Sequence, residues 1–108
     1  MGAWGGMMSD QDLEDFLILR EVDPPVTHDE RERASERSIA ALTTVRDDGK
    51  RIAWVGSQIL TNEDDMVTGT LCHFRAETEA TLHEHADCAG LPVSRIYRRG
   101  KPVSGPDQ

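Results

Sequence analysis

Histidines, cysteines and carboxylates are the residues of this chain with the clearest chemical potential, because together they supply most of the transition-metal ligands in proteins. The chain has four histidines and two cysteines among its 108 residues. The most conspicuous group is His83-Glu84-His85. Residues i and i+2 of a helix point about 200° apart, so the two imidazoles of this triplet cannot bind one ion from a single helix. No C-x-x-C or H-E-x-x-H motif is present, and intrachain spacing therefore indicates a metal site only weakly.

His85 and Cys72 each have a structural alternative to a role as metal ligand. His85 borders the apolar stripe of a predicted helix, where an imidazole can hydrogen-bond a backbone carbonyl or serve as a ligand or acid–base group. Cys72 lies beside His73 in a predicted strand. With Phe74, Cys72 is expected to point into the core as an unreactive thiol.

His73 is the more informative histidine. If Cys72 faces the helices, the alternation of a strand places His73 on the opposite side of the sheet, together with Leu71 and Arg75. An uncovered sheet face that carries apolar residues favours a dimer interface or a ligand surface. Residues of two subunits could converge there to form a metal or small-molecule site, and plain dimer packing is the simpler alternative.

Six elements position these residues, in the order β-α-β-β-α-β. Thr27 and Glu30 have the spacing of a capping box, which predicts the start of the first helix. Gly90 and Pro92 have the spacing that ends a second helix. The predicted elements are a buried strand at Phe16 to Val22 that Pro24 and Pro25 end, a helix from His28 to Arg46, a hairpin of strands Arg51 to Thr61 and Met66 to Ala76, a helix from Thr78 to Ala89, and a strand at Val93 to Arg99. This order predicts an α+β ferredoxin-like fold: a four-stranded antiparallel sheet with two helices on one face.

Length and charge limit the classes of function. The length of 108 residues suits one domain, predicted at residues 13–99, with a flexible arm at 1–12 and a flexible tail at 100–108. A formal net charge of −8 argues against nucleic acid or an anionic membrane as a partner. A domain this small buries little surface, which favours a homodimer. The chain has no apolar stretch long enough to span a membrane and no signal-peptide pattern at its start, so a cytoplasmic protein is expected.

Short signatures in the second half of the chain resemble a family of small bacterial ferredoxin-like proteins, the nickel-binding-protein-like family. They are the run Leu71 to Ala76, the run Leu82 to Ala86, and Ala89-Gly90-Leu91-Pro92. The first strand, and Trp54 with Ser57 in the second strand, are also similar. The resemblance covers about residues 16–97.

The resemblance implies a homodimer with surface or interface sites for a divalent metal, either nickel or copper or zinc. It points to Cys72 and His85 as ligands, with a weaker match at Glu21, and His73 and His83 add further potential imidazole ligands. This chain departs from the family pattern at Arg75, where members usually have an acidic residue. A cation at that position should weaken metal binding.

Three functions are compatible with these residues. The first is a metal-binding protein that sequesters nickel or a similar ion. The second is a small-molecule enzyme of the isomerase, cyclase or cofactor-poor oxygenase type, with a pocket on the open sheet face lined by Trp54 and His73, and with His73 or Glu21 as general acid or base. The third is an interaction module without a ligand. No organic cofactor is expected, because the chain has no Gly-rich phosphate loop.

Overall fold

The computed structural model of the protein describes residues 13–106. Its elements are β1 (Glu14–Val26), α1 (His28–Asp47), β2 (Ile52–Thr61), β3 (Val67–Ala76), α2 (Glu79–Ala89) and β4 (Arg95–Arg98). This order confirms the predicted ferredoxin-like plan. The predicted N-terminal arm at residues 1–12 lies outside the described residues.

The four strands form one antiparallel sheet in the order β2-β3-β1-β4. In the central pair, Phe16 lies opposite Phe74 and Ile18 opposite Cys72. These side chains are buried with residues of both helices, such as Leu42 and Leu82. We call the side of the sheet that carries them the covered face and the other side the open face.

The start of α1 and the end of α2 lie where their sequence signals predict. The Thr27 hydroxyl accepts a hydrogen bond from the Glu30 amide at 3.1 Å, and the Glu30 carboxylate completes the capping box at the start of α1. Gly90 follows α2 with a φ of 68°, in the left-handed region that glycine adopts without steric cost. The amide of Leu91 then donates to the carbonyl of Ala86 at 3.0 Å, which closes the last turn of the helix.

The prediction that Pro24 and Pro25 end the first strand is wrong, because β1 continues to Val26. Its register with β3 shifts between Glu21 and Val26. Proline has no amide hydrogen to donate to a ladder, and here the two prolines occupy the interval in which no ladder pair forms.

The last strand, β4, is shorter than predicted, although Ser94 and Arg99 still donate backbone hydrogen bonds to β1 at 2.8 and 2.9 Å.

The described chain ends without regular secondary structure. Residues 99–106 form neither helix nor strand, and the flexibility of the predicted tail stays a prediction. Among residues 13–106, no helix is both long and apolar enough to cross a membrane.

Candidate functional site

The four predicted metal ligands lie on two different faces of the sheet. Cys72 and His85 are buried on the covered face, at 7% and 0% exposure. His73 lies on the open face, as its alternation with Cys72 predicts, and Glu21 is on the same side of β1. The sheet separates the two pairs, so one ion cannot be bound by all four residues of one chain.

His73 belongs to a polar cluster on the open face. Its Nε2 lies 2.7 Å from Oδ1 of Asp15, a carboxylate that the sequence analysis did not single out. The Nε of Arg75 lies 3.4 Å from the same oxygen. Since a carboxylate oxygen can only accept, Nε2 is the donor of the first contact, and Nδ1 is left as the second nitrogen of the ring. In this arrangement the carboxylate orients the imidazole, so that its other nitrogen can bind a metal ion or exchange a proton.

The strand register explains why this cluster forms. Leu17 pairs with His73 and Asp15 pairs with Arg75, so Asp15 is diagonal to His73 on the same face. Glu21 pairs instead with Gly69, four residues along β3 from His73. At the rise of a β-strand this separates the two positions by about 13 Å. Glu21 and His73 of one chain therefore cannot share a ligand site.

His85 is held inside the core. Its Nε2 donates a hydrogen bond to the backbone carbonyl of Ser38 at 2.9 Å, which ties α2 to α1. Its Nδ1 is buried and has no hydrogen-bond partner among residues 13–106. Burial lowers the pKa of His85, and the nearby charge of Arg20 lowers it further, against the opposing effect of the hydrogen bond that His85 donates to the Ser38 carbonyl. This geometry confirms that His85 bonds a backbone carbonyl, the structural alternative of the sequence analysis.

Cys72 is the buried thiol that the sequence predicts. Its Sγ donates to the Thr70 hydroxyl at 3.3 Å, within β3 and on the covered face. Cys88 is exposed at the end of α2. The buried position of Cys72 accords with an unreactive thiol, because a thiol in the core is shielded from reagents and solvent.

The triplet His83-Glu84-His85 separates as the helical spacing predicts. His83 is exposed, whereas His85 is fully buried. Glu84 forms a salt bridge of 2.8 Å with Lys50 at the surface. The hydrogen bond between them lowers the pKa of Glu84 and raises the pKa of Lys50. The triplet is thus divided among three different environments.

Trp54 does not lie on the open face, so the predicted pocket lined by Trp54 and His73 is wrong. Trp54 pairs with Phe74 in the register of β2 and β3, and its ring stacks on the Phe74 ring at 6.4 Å. The register shifts between Trp54 and Gly56, which then pairs with His73. The extra residue, Val55, moves Trp54 to the covered face.

Sequence reasoning missed Arg20, the most unusual charged residue of the fold. Arg20 is only 5% exposed and its guanidinium lies over the Phe74 ring, 5.9 Å from the centroid. The signal was available, because Phe16, Ile18 and Arg20 alternate along β1 and must share a face. The prediction of one buried strand from Phe16 to Val22 did not distinguish the charged residue on its inner side.

No group of three or more histidine, cysteine, aspartate or glutamate side chains in residues 13–106 is arranged to hold a metal ion. The nearest approach to such a group is the pair Asp15 and His73, which offers two donors beside a guanidinium. Within a single chain these donors do not fit a metal centre, because transition-metal sites commonly use at least three protein ligands.

Comparison with known proteins provides the family. No curated protein is significantly similar to this chain. A family model described as nickel responsive protein SCO4226-like matches residues 16–98, which include all six elements except the first residues of β1. The match agrees with the resemblance found in the sequence signatures. The chain therefore belongs to the family of nickel responsive SCO4226-like proteins.

Proposed function

We propose that the protein is a homodimer that binds and sequesters a divalent metal ion of the nickel type on the open face of its sheet, around Asp15 and His73. The observation that carries this proposal is the contact of 2.7 Å between the His73 imidazole and the Asp15 carboxylate. The family description, nickel responsive, names the same metal. Imidazole and carboxylate ligands accept nickel, and they accept copper and zinc as well.

A dimer supplies the donors that one chain lacks. In a two-fold interface each surface residue near the axis appears twice, so Asp15 and His73 would provide four donors in place of two. Leu17, Leu19 and Leu71 lie on the same face and are only partly buried in one chain. Their apolar surface supports a self-associating interface, since burial of apolar area drives association.

Arg75 sets the expected strength of this site. Its guanidinium shares the Asp15 carboxylate with His73, so a metal ion would have to compete with a resident cation. We therefore expect weak binding in the wild type and tighter binding in Arg75→Gln, which removes the positive charge. The arginine at position 75, where family members usually have an acidic residue, therefore predicts a lower affinity for the metal ion.

Calorimetric titration of the full chain with nickel tests the proposal, with the oligomeric state measured by light scattering. We expect one ion per two chains. Asp15→Asn should weaken binding by at least about 10- to 100-fold, the loss typical of a carboxylate that only orients a metal-bound histidine, because here a donor to the ion is removed as well. His73→Ala should abolish binding.

His83→Ala is the matched control, because His83 is an exposed histidine on α2, on the other side of the sheet. It should leave nickel binding unchanged. A monomeric protein, or equal loss of binding in the His73 and His83 variants, would contradict the proposed site. Loss of nickel binding in His85→Gln or Cys72→Ser alone would move the site to the covered face.

A further inference from the structure

A second site-like feature lies on the covered face, between α1 and the ends of β1 and β3. It is a cleft of about 350 Å³, within the size range of small-molecule sites. Its apolar wall is formed by residues of the sheet, α1 and the segment after α2: Val22, Val26, Ala34, Val67, Leu91 and Pro92. The cleft is separated by the sheet from Asp15 and His73, so it is independent of the proposed metal site.

The charge of this cleft is opposite to that of the whole chain. Arg20, Arg31, Arg33 and Arg37 line it, and they are four of the twelve lysines and arginines in a chain of net charge −8. The one acidic residue of the lining is Glu30. Its carboxylate is already engaged, because it accepts hydrogen bonds from Thr27 in the capping box. The concentration of guanidinium groups therefore favours an anion.

The deepest of these arginines has an unused donor. Nη1 of Arg20 donates to the carbonyl of Pro92 at 2.8 Å, whereas Nη2 is buried without a hydrogen-bond partner among residues 13–106. The described residues place no carboxylate in an ion pair with Arg20. A buried guanidinium that no carboxylate neutralises is costly, since it has lost its water, and a titratable group beside it is the Cys72 thiol.

Arg31 repeats the pattern nearer the mouth of the cleft. Its Nη1 donates to the Ser35 hydroxyl at 2.8 Å, and its Nε is buried with no partner among the described residues. Two guanidinium groups of one cleft thus each keep a donor that lacks an acceptor. Because both residues line the cleft, an anion bound between α1 and β1 would lie beside two guanidinium groups.

We propose that this cleft binds a small organic carboxylate that has an apolar body. The carboxylate meets Arg20 and Arg31, because a guanidinium offers paired donors that match the two oxygens of a carboxylate. The apolar body packs against the valines and Leu91. A compact inorganic anion such as phosphate is the less suitable ligand, because it would leave the apolar wall unused.

Octanoate is a suitable probe, and 1-octanol is its uncharged counterpart with the same chain. Thermal unfolding of the full-length protein should shift upward with increasing octanoate in a saturable way, since a ligand that binds only the folded state stabilises it. In a ¹H–¹⁵N correlation spectrum the affected amides should be those around Arg20, Arg31 and Leu91. 1-Octanol should produce a much smaller effect.

Two variants separate charge from shape. Arg20→Met should weaken octanoate binding by about 10- to 100-fold, the range for loss of hydrogen bonds between charged groups. Ala34→Leu keeps all four guanidiniums and fills the cleft, and it should also weaken binding. Arg99→Met is the matched control, because Arg99 is an exposed arginine beyond β4 and outside the cleft, and it should bind as the wild type does.

Three outcomes would overturn the proposal. The first is the absence of a saturable shift with octanoate. The second is equal binding of octanoate and 1-octanol, which would show that the carboxylate is not recognised. The third is a response to inorganic phosphate alone, which would identify a site for inorganic anions.

Discussion

The two faces of the sheet differ in how their charged groups are paired. On the open face, the Asp15 carboxylate is shared by two cationic or potentially cationic groups, His73 and Arg75, at 2.7 and 3.4 Å. On the covered face, the Arg20 guanidinium is buried and the described residues offer it no carboxylate. The comparison suggests which ligand each face can accept: the open face can bind a cation only by displacing one, whereas the covered face already lacks an anion.

The faces also differ in what they contribute to stability, and the largest expected effect comes from that difference. Phe74 is 1% exposed and contacts Trp54 and His85 on the covered face. Phe74→Ala should lower the free energy of unfolding by about 3–5 kcal/mol, because it removes a buried ring and leaves a cavity. Urea unfolding measured by circular dichroism tests this expectation.

Leu71, on the open face, is the matched position for Phe74 in the same strand. It is only partly buried in one chain, and Leu71→Ala should cost about 1 kcal/mol at low protein concentration. If the open face is a dimer interface, this cost should grow with protein concentration, because association is linked to folding. Equal costs for the Phe74 and Leu71 variants at every concentration would remove the distinction between the faces.

At Arg20 we expect a change in the free energy of unfolding that is smaller than in Phe74→Ala and opposite in sign. In Arg20→Met, the unpaired buried charge is removed and a side chain of similar length remains. The variant loses the hydrogen bond to Pro92, but we expect it to be as stable as the wild type or up to about 2 kcal/mol more stable. The free energy of unfolding in buffer without organic anions is the quantity to measure.

Arg75→Met provides the comparison on the open face. Arg75 faces the Asp15 carboxylate across a partly exposed pair, so its loss should cost less than about 1 kcal/mol. Both substitutions replace an arginine by a methionine, but their effects on the free energy of unfolding should differ in sign. A clear loss of stability in Arg20→Met would mean that the buried charge is already compensated, and it would weaken the case for an anion in the cleft.

The elements could be predicted from the sequence because their signals are local. The capping box of Thr27 with Glu30 and the glycine after α2, Gly90, depend only on residues a few positions away. The sequence therefore predicts the start of α1 and the end of α2 at their observed positions. The division of Cys72 from His73 followed from strand alternation alone. The prolines were misjudged because Pro24 and Pro25 break a strand only where a partner strand needs their amides, and that partner is distant in sequence.

The sites were harder to predict because they depend on register between strands. Asp15 contacts His73 only because β1 and β3 pair with Leu17 opposite His73. Trp54 changes face through a one-residue irregularity beside Gly56. An isolated glycine within a strand indicates a bulge, but it does not show which neighbouring side chain changes face. Gly69 shows the same dependence on strand pairing: a Cβ there would overlap the backbone carbonyl of Arg20, a contact between β3 and β1 that only the paired sheet reveals.

The smallest effect that distinguishes the faces should appear as pH falls. Burial and the charge of Arg20 lower the folded-state pKa of His85 below its ordinary value of 6.5. Between the folded and the unfolded pKa, the unfolded chain therefore binds more protons than the folded chain. The free energy of unfolding must decrease as the pH is lowered through this range. The contribution of His85 is complete above about pH 6.5 and is lost as pH falls from there toward the lower folded pKa.

His85→Gln isolates this contribution, because glutamine can keep a hydrogen bond to the Ser38 carbonyl and does not titrate. Free energies of unfolding at pH 7.5 and pH 5.5 should differ less in this variant than in the wild type. His83→Gln is the control on the same helix, since it replaces an exposed histidine two residues away. If both variants reduced the pH dependence equally, the buried environment of His85 would not be its cause. A reduction confined to His85→Gln would place an acid-sensitive histidine on the covered face, beside the same Arg20 that the cleft leaves without an anion.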